Sequence, residues 1–274
     1  MSSDLKPAWS EQFEAGTLKR IERLDLPSAI ARGWALDDAT GAGVKVAVID
    51  SGIEGDHPAV GELNGNIVIE LDLTVEEEYR VVEDAPARDV FGHGTACAGI
   101  IRRVAPECEL YSVRVLGSML TGKGAVFAGG LKWALENGMH VVNLSLSTKK
   151  RDFFSMFHEL TDEAYFKNVM LVSAMNNVPA PSYPSQYSSV FSVAAHEGKD
   201  PMHWDYNPSP PVEFGAPGID VEVAWQKGST IRSTGNSFAA PHIAGIVTRI
   251  LSKHPGLTPF QMKTILHALA DNST

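Results

Sequence analysis

Short apolar runs rich in β-branched residues alternate along the chain with stretches whose apolar residues recur at helical spacing. Residues Val44 to Ile49 read as a buried strand, with no polar face to lay toward water. Similar runs at Leu110 to Val115, Val141 to Ser145, Val169 to Ser173 and Val190 to Ala194 predict four more strands. Between them, Gly124 to Asn137 places Val126, Phe127, Leu131, Ala134 and Leu135 on one helical face, and Gly138 follows as a stop signal. A last helix should start at Thr258, a capping residue, with Pro259 at its first position and Gln261 three residues after the cap. Strand and helix alternate throughout. The pattern predicts an α/β fold: a single domain with a doubly wound, mostly parallel sheet flanked by helices. Residues 1–25 are expected to form an N-terminal extension and residues 26–274 the domain.

Composition narrows the functional classes. The 274 residues are 44% hydrophobic, with 24 glycines and 16 prolines, as in a globular, loop-bearing protein. A formal charge of −10 argues against nucleic-acid or anionic-membrane surfaces, which need clustered cations. The short basic runs Arg102-Arg103 and Lys149-Lys150-Arg151 read as solvated loops, as does the acidic stretch Glu76-Glu77-Glu78 with Glu83-Asp84. No run is long and apolar enough to span a membrane. Two cysteines, Cys97 and Cys108, are too few for a disulfide framework. The start of the chain carries no apolar signal segment, so a cytoplasmic location is expected.

Three segments carry candidate chemistry. VAVIDSGIEGDHP ends a strand in Asp50, at the sheet edge where ligands and catalytic groups collect in open α/β folds. Taken alone, a nucleotide or metal role is the commoner reading of such an acid, although Gly52 and Gly55 do not form a dinucleotide fingerprint. DVFGHGTACAGII sets His93 between two glycines at the first turn of a helix of small residues. A packed loop histidine is the alternative; zinc is disfavoured because no second His or acid stands three or four residues on. STGNSFAAPHIAGIVTRIL begins a helix near Ser237, a start inferred from Pro241, which is best tolerated in a first turn. There a serine is either an N-cap or a nucleophile beside a free backbone donor. His242, on the same helix, reads as packing.

In the order Asp, His, Ser, these blocks resemble the signature motifs of the subtilisin-like serine peptidases. The likeness covers D-S-G-I, G-H-G-T-x-x-A-G and G-x-S-x-A-A-P-H-x-A-G, and spans Leu26 to Ala270. It implies Ser237 as nucleophile, His93 as general base and Asp50 as the group orienting that base. It also implies a side-chain oxyanion donor just after the strand reading MLVSAMNN; alignment places Asn176 there, with Asn177 one residue on as the alternative. A peptide substrate would add as an extended strand between Gly122-Lys123-Gly124 and Ser145-Leu146-Ser147. Leu146, Ser147, Ala174, Asn176 and Ser182 would form the pocket for the residue before the cut. Met175, Ser147-Thr148, Asn236, Phe238 and Ala96 depart from the family's usual residues. The tight-calcium loop that follows the histidine in many relatives is lacking, so no metal or cofactor is expected. Residues Met1 to Ala15 are expected to be a surface extension or a short pro-segment.

The function expected from this resemblance is a serine endopeptidase working through an acyl-enzyme. A processing peptidase or peptide ligase is the alternative, and a non-catalytic peptide-binding module a third reading.

Overall fold

The computed structural model describes residue 10 and residues 30–71, 79–83 and 86–273. The chain divides into two compact units, Met1–Ile30 and Ala31–Thr274, so the division falls five residues beyond the expected one. Apart from Ser10, the segment Met1 to Ala15 lies outside the described residues, as do Glu76-Glu77-Glu78 and Asp84.

Within Ala31–Thr274 the expected five strands appear as β1 (Lys45–Asp50), β4 (Glu109–Arg114), β5 (Val141–Leu144), β6 (Met170–Ala174) and β7 (Phe191–His196). Four further strands join their sheet: β2 (Gly65–Leu71), β3 (Tyr79–Glu83), β8 (Asp205–Tyr206) and β9 (Phe214–Pro217). The order is β3-β2-β4-β1-β5-β6-β7-β9-β8. The seven inner strands pair in parallel; only the outermost, β3 and β8, are antiparallel to their neighbours. Glu83 therefore closes an edge strand instead of belonging to a solvated loop. β10 (Val221–Trp225) and β11 (Ser229–Ser233) make a separate antiparallel hairpin.

The helices are α1 (Arg32–Leu36), α2 (His93–Val104), α3 (Gly124–Glu136), α4 (Phe154–Phe166), α5 (Asn236–Lys253) and α6 (Pro259–Leu269). Side chains alternate across a strand. Ala47 and Ile49 of β1 point into a core shared with Leu131 and Leu135 of α3 and Phe157 of α4. Asp50 must then point to the opposite face, where α2 approaches so closely that a Cβ on Gly94 would stand 3.2 Å from the Asp50 Cβ. On that side α2 packs against α5, which lies over β5, β6, β7 and β9. The fold thus brings the carboxyl end of a central strand and the starts of two helices together.

Helix α6 starts as the sequence predicts. Thr258 and Gln261 form a complete capping box, with Pro259 at the first helical position. Gly138, after α3, adopts a φ of +67°. Pro241 differs from expectation: it lies inside α5, which begins at Asn236, beyond the first turn.

Candidate active site

Asp50 is fully buried and His93 is 8% exposed. The His93 Nδ1 lies 2.9 Å from each oxygen of the Asp50 carboxylate. A carboxylate only accepts, so the proton of a neutral ring sits on Nδ1 and Nε2 keeps a free lone pair. Asp50 Oδ1 also accepts from the Ser51 N–H at 2.7 Å, which restrains the carboxylate. Burial pushes the imidazole's pKa down, but Asp50, with Asp89 behind it, outweighs burial and raises it above the usual 6.5.

Ser237 is the second residue of α5, whose cap residue Gly235 offers no side-chain hydrogen bond. Its own N–H is among the first donors of the helix, which lack partners within the helix. Pro241 has no N–H, so the Ser237 carbonyl loses its helical partner. Ser145 replaces it: its Oγ donates to the Ser237 oxygen at 2.8 Å and accepts from Asn143 Nδ2 at 3.0 Å. The Cys97 thiol donates to the same carbonyl at 3.6 Å. Cys97 Sγ also lies within 4.8 Å of the nearest ligand atoms of Asp50 and His93, while the His93 and Phe238 rings are 5.4 Å apart between centroids. Cys97 thus touches the Ser237 carbonyl while lying close to the Asp50–His93 pair. Burial pushes the Cys97 thiol's pKa well up, which keeps it a neutral donor. His242, 4% exposed, donates from Nδ1 to the Phe238 carbonyl, in keeping with packing.

The two asparagines after β6 separate clearly. Asn176 turns its Oδ1 back to the Val178 N–H at 3.0 Å. Asn177 Oδ1 accepts the Asn236 N–H at 2.9 Å, which orients its amide and leaves Nδ2 facing α5. A Cβ added to Gly235 would lie 3.2 Å from Ser237 Oγ and 3.6 Å from Asn177 Nδ2. Asn177 Nδ2 thus lies beside the Gly235–Ser237 turn. β6 stops at Ala174, but the Met175 N–H still reaches the Val193 carbonyl, so the strand-like course extends one residue further. Asn236 is also structural: its Nδ2 bonds the Met175 and Asn176 carbonyls, and its Oδ1 takes the Ala195 N–H.

Residues 41–274 match the family model described as the subtilase family, peptidase S8. The chain belongs to the subtilase family. It is 34% identical over 259 residues to subtilisin Savinase of Lederbergia lenta, covering 90% of this chain and 88% of that one. It is equally identical to M-protease of Shouchella clausii, covering 90% of this chain but only 62% of that protein. Among solved structures, a cold-adapted subtilisin-like serine proteinase matches with a TM-score of 0.69 and 25% identity, covering 93% of both chains.

The segments expected to bind substrate in this subtilase are not equally accessible. Gly122 and Lys123 are exposed, and Gly124 is half-buried beneath the Phe153 ring, which a Cβ there would strike at 2.3 Å. Ser145, Leu146 and Ser147 continue beyond β5 and are half-buried; the chain then pairs through Thr148 with Tyr183. Ala174 is nearly closed off at 4% exposure. Ser182 departs from expectation: it is fully buried and its hydroxyl pairs with Ser185 at 2.7 Å, so it offers no wall to a substrate.

Among the described residues, two groups have the donor types to hold a metal: Asp50, His93 and Cys97, and His196, His203 and Asp205. The first is occupied by its own hydrogen bonds. In the second, His196 Nδ1 accepts the Gly198 N–H at 2.9 Å, which places the ring proton on Nε2, facing Asp205 at 4.0 Å. That tautomer offers Asp205 a donor and leaves no lone pair for a metal.

Proposed function

We propose that this subtilase is a serine endopeptidase that cleaves peptide bonds in extended substrates through an acyl-enzyme. The observation carrying the proposal is the buried Asp50–His93 pair, with the ring proton held on Nδ1, beside Ser237 at a helix start. His93 Nε2 takes the proton of Ser237 Oγ as the hydroxyl attacks the scissile carbonyl. The resulting imidazolium faces the Asp50 carboxylate and returns the proton to the leaving amine. Water, activated by the same ring, then releases the acyl group. The oxyanion is met by the Ser237 N–H and by Asn177 Nδ2, whose amide the Asn236 N–H orients. Substrate backbone pairs with Gly122-Lys123-Gly124 on one side and Ser145-Leu146-Ser147 on the other.

The test is digestion of a mixed peptide library by wild type and Ser237→Ala, with products identified by mass spectrometry. Internal cleavage by wild type and none by the variant is expected. Cleavage at equal rates by both would overturn the proposal. Joined or cyclic products in the presence of an added amine would shift the reading to a peptide ligase.

A further inference from the structure

The start of α2 poses a capping problem. Gly92 adopts a φ of +116°, and a Cβ there would come within 2.6 Å of the Trp225 ring, so no capping side chain can stand at this position. The donors of the first turn, on which the His93 ring is carried, need acceptors from elsewhere.

One carboxylate gathers the donors around this helix start. Asp89 Oδ1 accepts from Phe91 N at 2.9 Å, Gly92 N at 2.7 Å and Ser51 Oγ at 2.8 Å. Asp89 Oδ2 accepts from Thr95 N at 2.8 Å and Thr95 Oγ1 at 2.6 Å. Both hydroxyls are thereby aimed: Ser51 Oγ turns its lone pair to the Gly94 N–H at 3.1 Å, and Thr95 Oγ1 to the Glu54 N–H at 2.9 Å. Ser51 directly follows Asp50, and its carbonyl takes the Val90 N–H. The Asp89 carbonyl in turn accepts from Gln226 Nε2 at 2.6 Å, tying the loop to the β10–β11 hairpin.

We propose that Asp89 is a positioning residue for the peptidase reaction, clamping the helix turn that carries His93 to the strand end that carries Asp50. It touches neither substrate nor reacting atoms. This inference rests on the triad reading above and deepens it. All five donors point at the carboxylate, so asparagine cannot replace aspartate in either orientation: its amide would face the Thr95 donors or, flipped, the other three.

The pH profile separates this role from general support of the fold. The titratable groups around His93 are Asp50 from β1, Asp89 from the preceding loop and Cys97 from its own helix; the neighbour from α5 is the uncharged Phe238. The Asp89 charge favours the imidazolium, so removing it moves the acid limb of kcat/KM to lower pH.

The experiment compares wild type, Asp89→Asn and Thr95→Val, each normalised to active sites by stoichiometric fluorophosphonate labelling, with Ser237→Ala as the unlabelled control. Asp89→Asn should lose on the order of 10–100-fold in kcat with KM nearly unchanged and the acid limb at lower pH. Thr95→Val breaks a single bond to Asp89 and keeps the charge. It should lose less kcat with the limb in place, and it serves as the reading if Asp89→Asn does not fold. Turnover within twofold of wild type in both variants, with the limb unmoved, would overturn the proposal. Failure of the triad reading would look different: wild type and Ser237→Ala would take up the same amount of probe.

Discussion

Two helices meet at the active site, and both start at a glycine with no side-chain cap, yet the chain treats their free donors in opposite ways. At α2 the Gly94 and Thr95 N–H groups are taken by Ser51 and Asp89, and the His93 ring is pinned to a buried carboxylate. At α5 the acceptor brought in from another loop, Asn177 Oδ1, goes to Asn236 N, one residue short of Ser237. The same amide turns its Nδ2 toward the space beside Ser237 Oγ. Under the proposed mechanism the general base needs one fixed tautomer and direction, which outside acceptors on the His93 helix would supply. The oxyanion needs donors that water or substrate can reach, which the uncapped Ser237 N–H would offer. Pro241 carries the difference inside α5, where it frees the Ser237 carbonyl for Ser145 and Cys97 to hold from behind.

The comparison breaks most visibly at the reacting groups. Subtilisin itself loses on the order of 10⁶-fold in kcat when its serine or histidine is removed. Ser237→Ala and His93→Ala should fall by the same order in peptide-hydrolysis assays. The open helix is probed next. A side-chain oxyanion donor in this family is worth about 10²–10³ in kcat, so Asn177→Ala should lose that much with KM nearly constant. Asn176→Ala should stay within several-fold of wild type. A reversed outcome would return the oxyanion role to Asn176.

A smaller effect tests how dry the interior of α5 is. Burial lowers the His242 pKa to about 4, so the ring is neutral in the fold. The unfolded chain takes up a proton below the usual 6.5. His242 therefore contributes stability that is fully present above that value and is lost as pH falls toward 4. The thermal midpoint should decline across that window, and replacing His242 with a non-titrating residue should flatten the decline. The smallest effect is expected at a helix start remote from the chemistry. Thr258→Ala removes the α6 capping box, which should cost about 1 kcal/mol in denaturant unfolding while kcat is unchanged.

Much of this was legible in the chain because buried parallel strands are rich in apolar, β-branched residues, as β1, β5 and β6 are and as β4 and β7 are in part. The edge strand β3 and the β10–β11 hairpin carry that signature less clearly. Apart from Val223 and Ala224 their residues are half-buried or exposed, and polar positions interrupt the apolar ones. Asp50, His93 and Ser237 stand in three motifs whose order resembles that of the subtilisin-like peptidases. Asn176 and Asn177 are chemically identical neighbours, and what tells them apart is their different hydrogen bonds, to Val178 and from Asn236. Asp89 was missed as well. Its signal was an acid three residues before a glycine that cannot cap its own helix, a pattern whose meaning depends on the Gly92–Trp225 contact.

The most direct measurement of the central claim is the intact mass of the protein after exposure to a fluorophosphonate. Wild type should gain the mass of a single probe, with the adduct on Ser237, and Ser237→Ala should gain none. Equal labelling of the two proteins, or an adduct at another residue, would contradict the assignment of Ser237 as the nucleophile.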